Sequence, residues 1–391
     1  MGRTRWLTES WRRQGVGTTF VETPFVHPLR SLAARVRRVL SSSSRVNLVR
    51  PWPPAPILQW PRMEPDRLRG SFRRRASGLR RQLERSIAWD TSVAVVVTPA
   101  WAPWLEELPF RVVIYDCIDD PAVHTPTPAH EPLYEGWQKE LIDRADGAVA
   151  TVGALADAIH AQRDDLPIAK IPNGVDVDWF QARRDSQPPP EDVLPTGRPV
   201  VGFVGALYHW IDWDLIAQVA RMLAGFDFLL IGPVGERSGP ERLRGITNIR
   251  LLGPRPYDCV PGYVQAFDVC WVPFKQTGVA MAADPVKVYE YLALGKPVVA
   301  TPVGDLATFG DVVRLGRRPE EIAELLRVAV GTGEAGREER IAFARRNSWN
   351  DRATAYVGFA KSLMTTGHAA PRSDRENAVA GLGEHTENTV L

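Results

Sequence analysis

Short apolar runs alternate along most of this chain with longer stretches in which apolar positions recur every three or four residues. A run of four to six apolar residues fits a strand, and the three-to-four-residue recurrence marks a helix with one apolar face. Strands are therefore expected at 18–21, 46–49, 93–98, 112–116, 148–151 and 169–172, and a second series at 200–204, 228–231, 249–252, 269–272 and 298–301. Strand–helix alternation of this kind builds parallel sheets, so the fold class is α/β with two doubly wound domains. Between the two series, residues 181–199 hold three consecutive prolines and no period, which predicts a linker. The expected organisation is thus 1–180, the linker 181–199, 200–350, a helix over 351–366, and a polar tail over 367–391 with no period to fold on. Further helices are expected near 319–330 and 337–346.

A length of 391 residues with 44% hydrophobic positions is enough for two cores. Cys117, Cys259 and Cys270 are far apart and odd in number, which points to a reducing compartment and no structural zinc. With no apolar signal core and no run of eighteen apolar residues, the expected location is the cytoplasm. The net charge of +2 hides an asymmetry: residues 1–85 hold nineteen Arg and no Lys against five acids, a net +14, which leaves −12 on the remainder. Such a basic region suits an anionic lipid surface, and few aromatics accompany it for stacking on bases, so membrane is preferred to nucleic acid. A high Arg content spread over solvated faces is the plainer reading.

The densest candidate chemistry lies in Asp284-Pro-Val-Lys-Val-Tyr-Glu-Tyr-Leu-Ala-Leu-Gly-Lys-Pro-Val-Val-Ala-Thr-Pro302. It reads as a helix stopped by Gly295 and followed by a buried strand. A helix beginning just after a loop offers N–H groups to an anion; Lys287 adds a cation there and Glu290 lies one turn further on. The pair suits the two ends of a nucleotide, diphosphate and ribose hydroxyls, although both could equally be solvated ends of a surface helix. A second cluster, Val112-Val-Ile-Tyr-Asp-Cys-Ile-Asp-Asp-Pro121, places Asp116, Asp119 and Asp120 where an α/β sheet collects catalytic groups. Three acids so close repel one another, and one could serve as general base; alternatively Asp119 and Asp120 cap a following helix. Asp212 and Asp214 read as helix caps rather than metal ligands. No Gly-x-Gly-x-x-Gly follows a strand and no phosphate-loop Gly-Lys-Ser/Thr occurs, which argues against nicotinamide, flavin or Walker-type sites.

The 284–302 segment resembles the donor-site signature of GT-B glycosyltransferases, written Glu-Tyr-Leu-Ala-x-Gly-x-Pro-Val-Val-Ala. Three other strings are similar to that family: Ala169-Lys-Ile-Pro-Asn-Gly-Val-Asp-Val-Asp-Trp-Phe180, Val200-Val-Gly-Phe-Val-Gly205, and Asn248-Ile-Arg-Leu-Leu-Gly-Pro-Arg-Pro-Tyr257. The acid cluster resembles the Tyr-x-Cys-x-Asp-Asp pattern of a bacterial subgroup. The resemblance implies two Rossmann-like domains facing across a cleft and a nucleoside-diphosphate sugar as donor substrate, with no other cofactor. It also implies a lipid-linked or cell-surface glycan acceptor, and a peripheral position on the inner face of the cell membrane. It assigns Gly205, Lys287 and Glu290 to the donor, Arg255 or Tyr257 to the nucleobase, Asp119, Asp116 and Asp120 to catalysis, and no metal. It covers residues 110–305 well and departs in two places. The family opens with a strand where Trp6–Gly15 reads as a helix, so a first strand is missing. The retaining group has an acid eight residues before the ribose-binding Glu, where this chain has Ala282. A nucleotide-sugar epimerase of the same fold and an inactive membrane- or polymer-binding protein are the other readings.

Overall fold

A computed structural model describes residues 2–21, 47–49, 63, 65–120, 125, 128–187, 190–193, 196–235 and 238–365. The expected tail at 367–391 lies outside these residues. The chain folds as two compact units. The first gathers Thr8–Ala150, Leu155–Lys170 and Thr354–Leu391; the second gathers Met1–Leu7, Thr151–Ala154 and Ile171–Ala353. The division therefore falls at 170/171, before the Pro-Asn-Gly string, and the chain's first seven residues go with the second unit. The first unit holds a two-stranded parallel pair, β1 (Thr19–Val21) and β2 (Asn47–Val49). Its main sheet has four parallel strands in the order β3 (Val93–Val96), β4 (Val112–Cys117), β5 (Gly147–Ala150) and β6 (Ile168–Lys170). All residues of β4 and β5 are buried, as befits strands covered on both faces.

The second unit is built on six parallel strands: β7 (Val200–Val204), β8 (Asp227–Ile231), β9 (Ile249–Gly253), β10 (Val269–Val272), β11 (Val298–Ala300) and β12 (Val313–Leu315). Their spatial order is β12-β11-β10-β7-β8-β9. The order reverses between β7 and β10, and ligands of doubly wound sheets bind beyond the strand ends at such a reversal. The expected strands all form, with ends within two residues of expectation; β12 is additional, a three-residue edge strand interrupted by Arg314.

The expected linker starts too early. Residues Val177–Ser186 form a helix because Asp176 caps it, its carboxylate accepting from the Trp179 N–H at 3.0 Å. Helix Trp349–Thr365 begins with a reciprocal cap: Ser348 Oγ accepts from Asp351 N at 3.1 Å and donates to the Asp351 carboxylate at 2.7 Å. Gly295 ends helix Val286–Ala293 with φ +73°, the left-handed position a C-terminal cap requires.

Candidate functional site: the donor-type site at the β7–β10 reversal

The polypeptide leaves β7 at Gly205 and β8 at Gly232, and the two loops touch through backbone. A Cβ on Gly232 would stand 1.8 Å from the Gly205 carbonyl oxygen, so only glycine fits there. A Cβ on Gly205 would lie 2.7 Å from Cε of Lys287. Gly205 therefore makes the space that the lysine stem occupies. Lys287 sits in the first turn of helix Val286–Ala293, with Nζ 4.7 Å from the Phe274 ring centroid and 5.5 Å from that of Phe203. Two aromatic faces steady the ammonium group without neutralising it.

One turn on, Glu290 is 6% exposed and accepts a hydrogen bond from the Tyr257 hydroxyl at 2.5 Å. Burial pushes its carboxyl above the usual carboxylate range; the Tyr257 hydroxyl and the Lys287 charge pull the other way. Tyr257 is itself raised by burial and by the Glu290 charge, so it stays protonated and acts as donor. Its ring stacks on Trp179, centroids 5.4 Å apart with 23° between planes, and meets Phe180 edge-on at 6.0 Å. Arg255 is engaged with Tyr263 and with Asp192 of the segment before β7: Nε donates to the Tyr263 hydroxyl at 2.7 Å and Nη2 to Asp192 at 2.5 Å, and the guanidinium lies over the Tyr263 ring. Both residues assigned to the nucleobase by resemblance thus have protein partners for their flat faces.

Asp284 is a further acid at this site, given no role by the sequence pattern. Its carboxylate accepts from Asn173 N at 2.6 Å and from the Tyr289 hydroxyl at 3.1 Å, and its backbone carbonyl accepts from Asn173 Nδ2 at 2.8 Å. Burial raises it to about 6, against the favourable charges of Arg3 and Arg352. Asn173 carries Arg3 on its side chain and Arg352 on its carbonyl, at 3.3 and 3.1 Å. Asn-Gly in this string is therefore more than a turn: it locks the residues preceding the 286–293 helix. An acid directly before Pro285 was the available signal.

In the first unit, Asp116 lies inside β4 opposite Val149 and is 1% exposed, not beyond the strand end as expected. The strand runs through it to Cys117. Asp119 and Asp120 do follow the end and are half-buried. Cys117 donates weakly to the Asp119 carbonyl, Sγ to oxygen 3.8 Å, and burial pushes its thiol up to about 12, with the three acids adding to the shift. It is no thiolate nucleophile near neutrality. Residues 121–124, where a helix capped by Asp119 or Asp120 would start, lie outside the described ones; the next described helix is Glu131–Arg144, after a turn at Pro128–His130.

Asp212 caps helix Trp213–Met222 through Leu215 N at 2.9 Å, and Asp214 pairs with Arg242. Among the described residues no group of three or more His, Cys, Asp or Glu is gathered as a metal site.

Residues 198–329 match the sequence model of glycosyl transferases group 1. This stretch is similar to that family. The stretch runs from just before β7 into helix Pro319–Thr332 and contains Gly205, Arg255, Tyr257, Lys287 and Glu290. TuaH of Bacillus subtilis, named as a teichuronic acid biosynthesis glycosyltransferase, is 29% identical over 233 residues. The match covers 56% of each chain, so this protein spans little more than half of that relative. Sucrose-phosphate synthase of Thermosynechococcus elongatus superposes with a TM-score of 0.68 at 14% identity over 93% of both chains. Anabaena HepE, solved with UDP and glucose, does so at 0.58 and 16% identity over 81% of this chain and 86% of that one. At those identities the structural likeness shows the fold, and the fold is GT-B.

Proposed function

We propose that the protein transfers a sugar from a nucleoside-diphosphate sugar to a lipid-linked or cell-surface glycan. The observation that carries this reading is the pairing of Lys287 and Glu290 one turn apart at the strand-order reversal, inside the segment that matches group 1 glycosyltransferases. The helix start and Lys287 offer positive charge to the diphosphate, where negative charge grows as the sugar leaves. Glu290 takes the ribose hydroxyls: a carboxylate has about four acceptor positions, and Tyr257 occupies one. The reaction needs no metal in this scheme, because helix and lysine supply the countercharge. Asp119, with Asp120 and Asp116 beside it, is the proposed general base. TuaH's name supports a cell-envelope glycan as acceptor class.

Calorimetric titration tests the donor half. Glu290→Gln should weaken nucleoside-diphosphate binding by about 1.5–3 kcal/mol, roughly ten- to a hundredfold, with little change in melting temperature. Wild-type affinity in that variant removes Glu290 as the ribose ligand.

The membrane half rests on helix Pro65–Leu83. Leu68, Phe72, Ala76, Leu79 and Leu83 are buried, while Arg67, Arg74 and Arg81 stand exposed at seven-residue intervals and so share one face. Arg69 and Arg73 instead turn to Glu106, which also binds Arg144. Each exposed Arg near an anionic leaflet is worth about 1 kcal/mol. Among the described residues no helix is long and apolar enough to cross a membrane. Co-sedimentation with acidic liposomes should be strong at low salt, fade as salt rises and weaken in an Arg74→Glu/Arg81→Glu double variant. Binding indifferent to lipid charge sinks this half alone.

A further inference from the structure

The wall behind Glu290 is partly made by the beginning of the chain. Helix Arg3–Arg13 contributes its first residues to the second unit. Arg3 is 5% exposed and pins that end, donating to the carbonyls of Ile171 and Pro172 at 2.8 and 3.0 Å and to Asn173 Oδ1 at 3.3 Å. Trp6, 6% exposed, meets Trp179 edge-on at 5.6 Å and presents a donor to the Tyr257 oxygen. Trp179 is covered by Arg183, whose guanidinium lies 5.5 Å above the ring, and stacks on Tyr257. Tyr257 has one hydroxyl proton, and it goes to Glu290. A hydroxyl so committed has none to give a nucleotide; what it can do is hold the carboxylate in one orientation and keep it ionised.

We propose that the stack Trp6–Trp179–Tyr257 is a positioning device for the Glu290 carboxylate, which makes the first helix of the chain part of the donor-binding machinery. Trp6 and Tyr257 are positioning residues: they act through Glu290. The inference rests on Glu290 being the ribose ligand, and it assigns a specific task to a segment at which this chain departs from the family pattern. The charged or titratable groups that influence Glu290 are Tyr257, Lys287 on its own helix and the chain's amino terminus, while Asp176 acts on Tyr257. Tyr257, raised by burial and by the Glu290 charge, stays protonated from pH 5 to 8. Burial raises the Glu290 carboxyl and the Tyr257 donor opposes that shift, so losing the donor moves its titration to higher pH.

The experiment is calorimetric titration of UDP and of GDP into the full chain and its Tyr257→Phe, Trp6→Phe and Glu290→Gln variants between pH 5 and 8, alongside melting temperatures. Tyr257→Phe keeps the ring stack and removes one hydroxyl. It should weaken the nucleotide that the wild type binds by about three- to tenfold at pH 7.5. The loss of affinity on the acid side should also begin at a higher pH than in the wild type. Trp6→Phe should move both readouts the same way by less. If Tyr257→Phe binds with wild-type affinity and pH profile, or loses affinity only in step with melting temperature while the profile stays put, the stack is structural and the proposal falls. If the wild type binds neither nucleotide, or Glu290→Gln binds as the wild type does, the donor-site reading fails first and takes the positioning role with it.

Discussion

Asp119→Asn should reduce sugar transfer by about 10²- to 10⁴-fold while leaving nucleoside-diphosphate affinity nearly untouched, the signature of a lost general base. Three observations single out this side chain within its cluster. Asp116 is 1% exposed within β4, where a substrate hydroxyl has no approach. Cys117, the nearest sulfur nucleophile, has its thiol pushed up to about 12 by burial. Asp119 and Asp120 remain as half-buried carboxylates just past the strand end, and Asp119 is the nearer to it. Asparagine keeps the shape and the hydrogen-bond acceptor and removes the base. Donor affinity should persist because Lys287 and Glu290 belong to the other unit. Single-turnover transfer measured beside donor titration separates the two effects. Full transfer by the variant returns Asp119 to a local backbone role.

The central strands were legible because β4, β5, β10 and β11 are parallel and buried along their whole length, so their Val-rich runs stand out without alternation. The end of helix Val286–Ala293 was legible for a similar reason: Gly295 is required locally, by φ +73°. What escaped local pattern depends on contacts distant in sequence. β12 is an edge strand, Val313-Arg-Leu, whose apolar signal is too brief to read. The domain division shifted because Arg3 and Arg352 both bond to Asn173, from 170 and 179 residues away. Arg3 was also counted in a basic N-terminal surface, yet it is 5% exposed and serves as a hydrogen-bond donor to the protein interior. Charge counts treat every Arg as solvated; burial decides which of them can meet a partner. At the donor-type site the residue types were readable and their engagements were not: Arg255 bonds to Asp192 from 63 residues away, and Tyr257 reaches Glu290 across 33.

Removal of the Asp284 carboxylate should be the most damaging substitution for stability near the donor-type site. In Asp284→Ala the Asn173 N–H and the Tyr289 hydroxyl lose their acceptor, and the positive charges of Arg3 and Arg352 lose a nearby negative one. Unpaired buried donors cost about 1–3 kcal/mol each, so for the two of them a total of roughly 2–6 kcal/mol is expected, read as a fall in melting temperature of about 5–20 °C. The ionised form is nevertheless held at a cost, because the folded protein raises this carboxyl from 3.8 to about 6. A group with its folded value raised binds its proton more tightly folded than unfolded. The stability it contributes is therefore complete below about pH 4 and is lost as pH rises through about 6. Asp284→Asn cannot titrate and keeps an acceptor for Asn173 N, so relative to wild type it should gain stability between pH 4 and 7, by about 2–3 kcal/mol. Melting curves of wild type and Asp284→Asn across that range isolate the effect, since other groups titrate in both. A difference between the two that stays flat with pH would show that the Asp284 carboxyl is not raised, and that its hydrogen bonds from Asn173 and Tyr289 outweigh its burial.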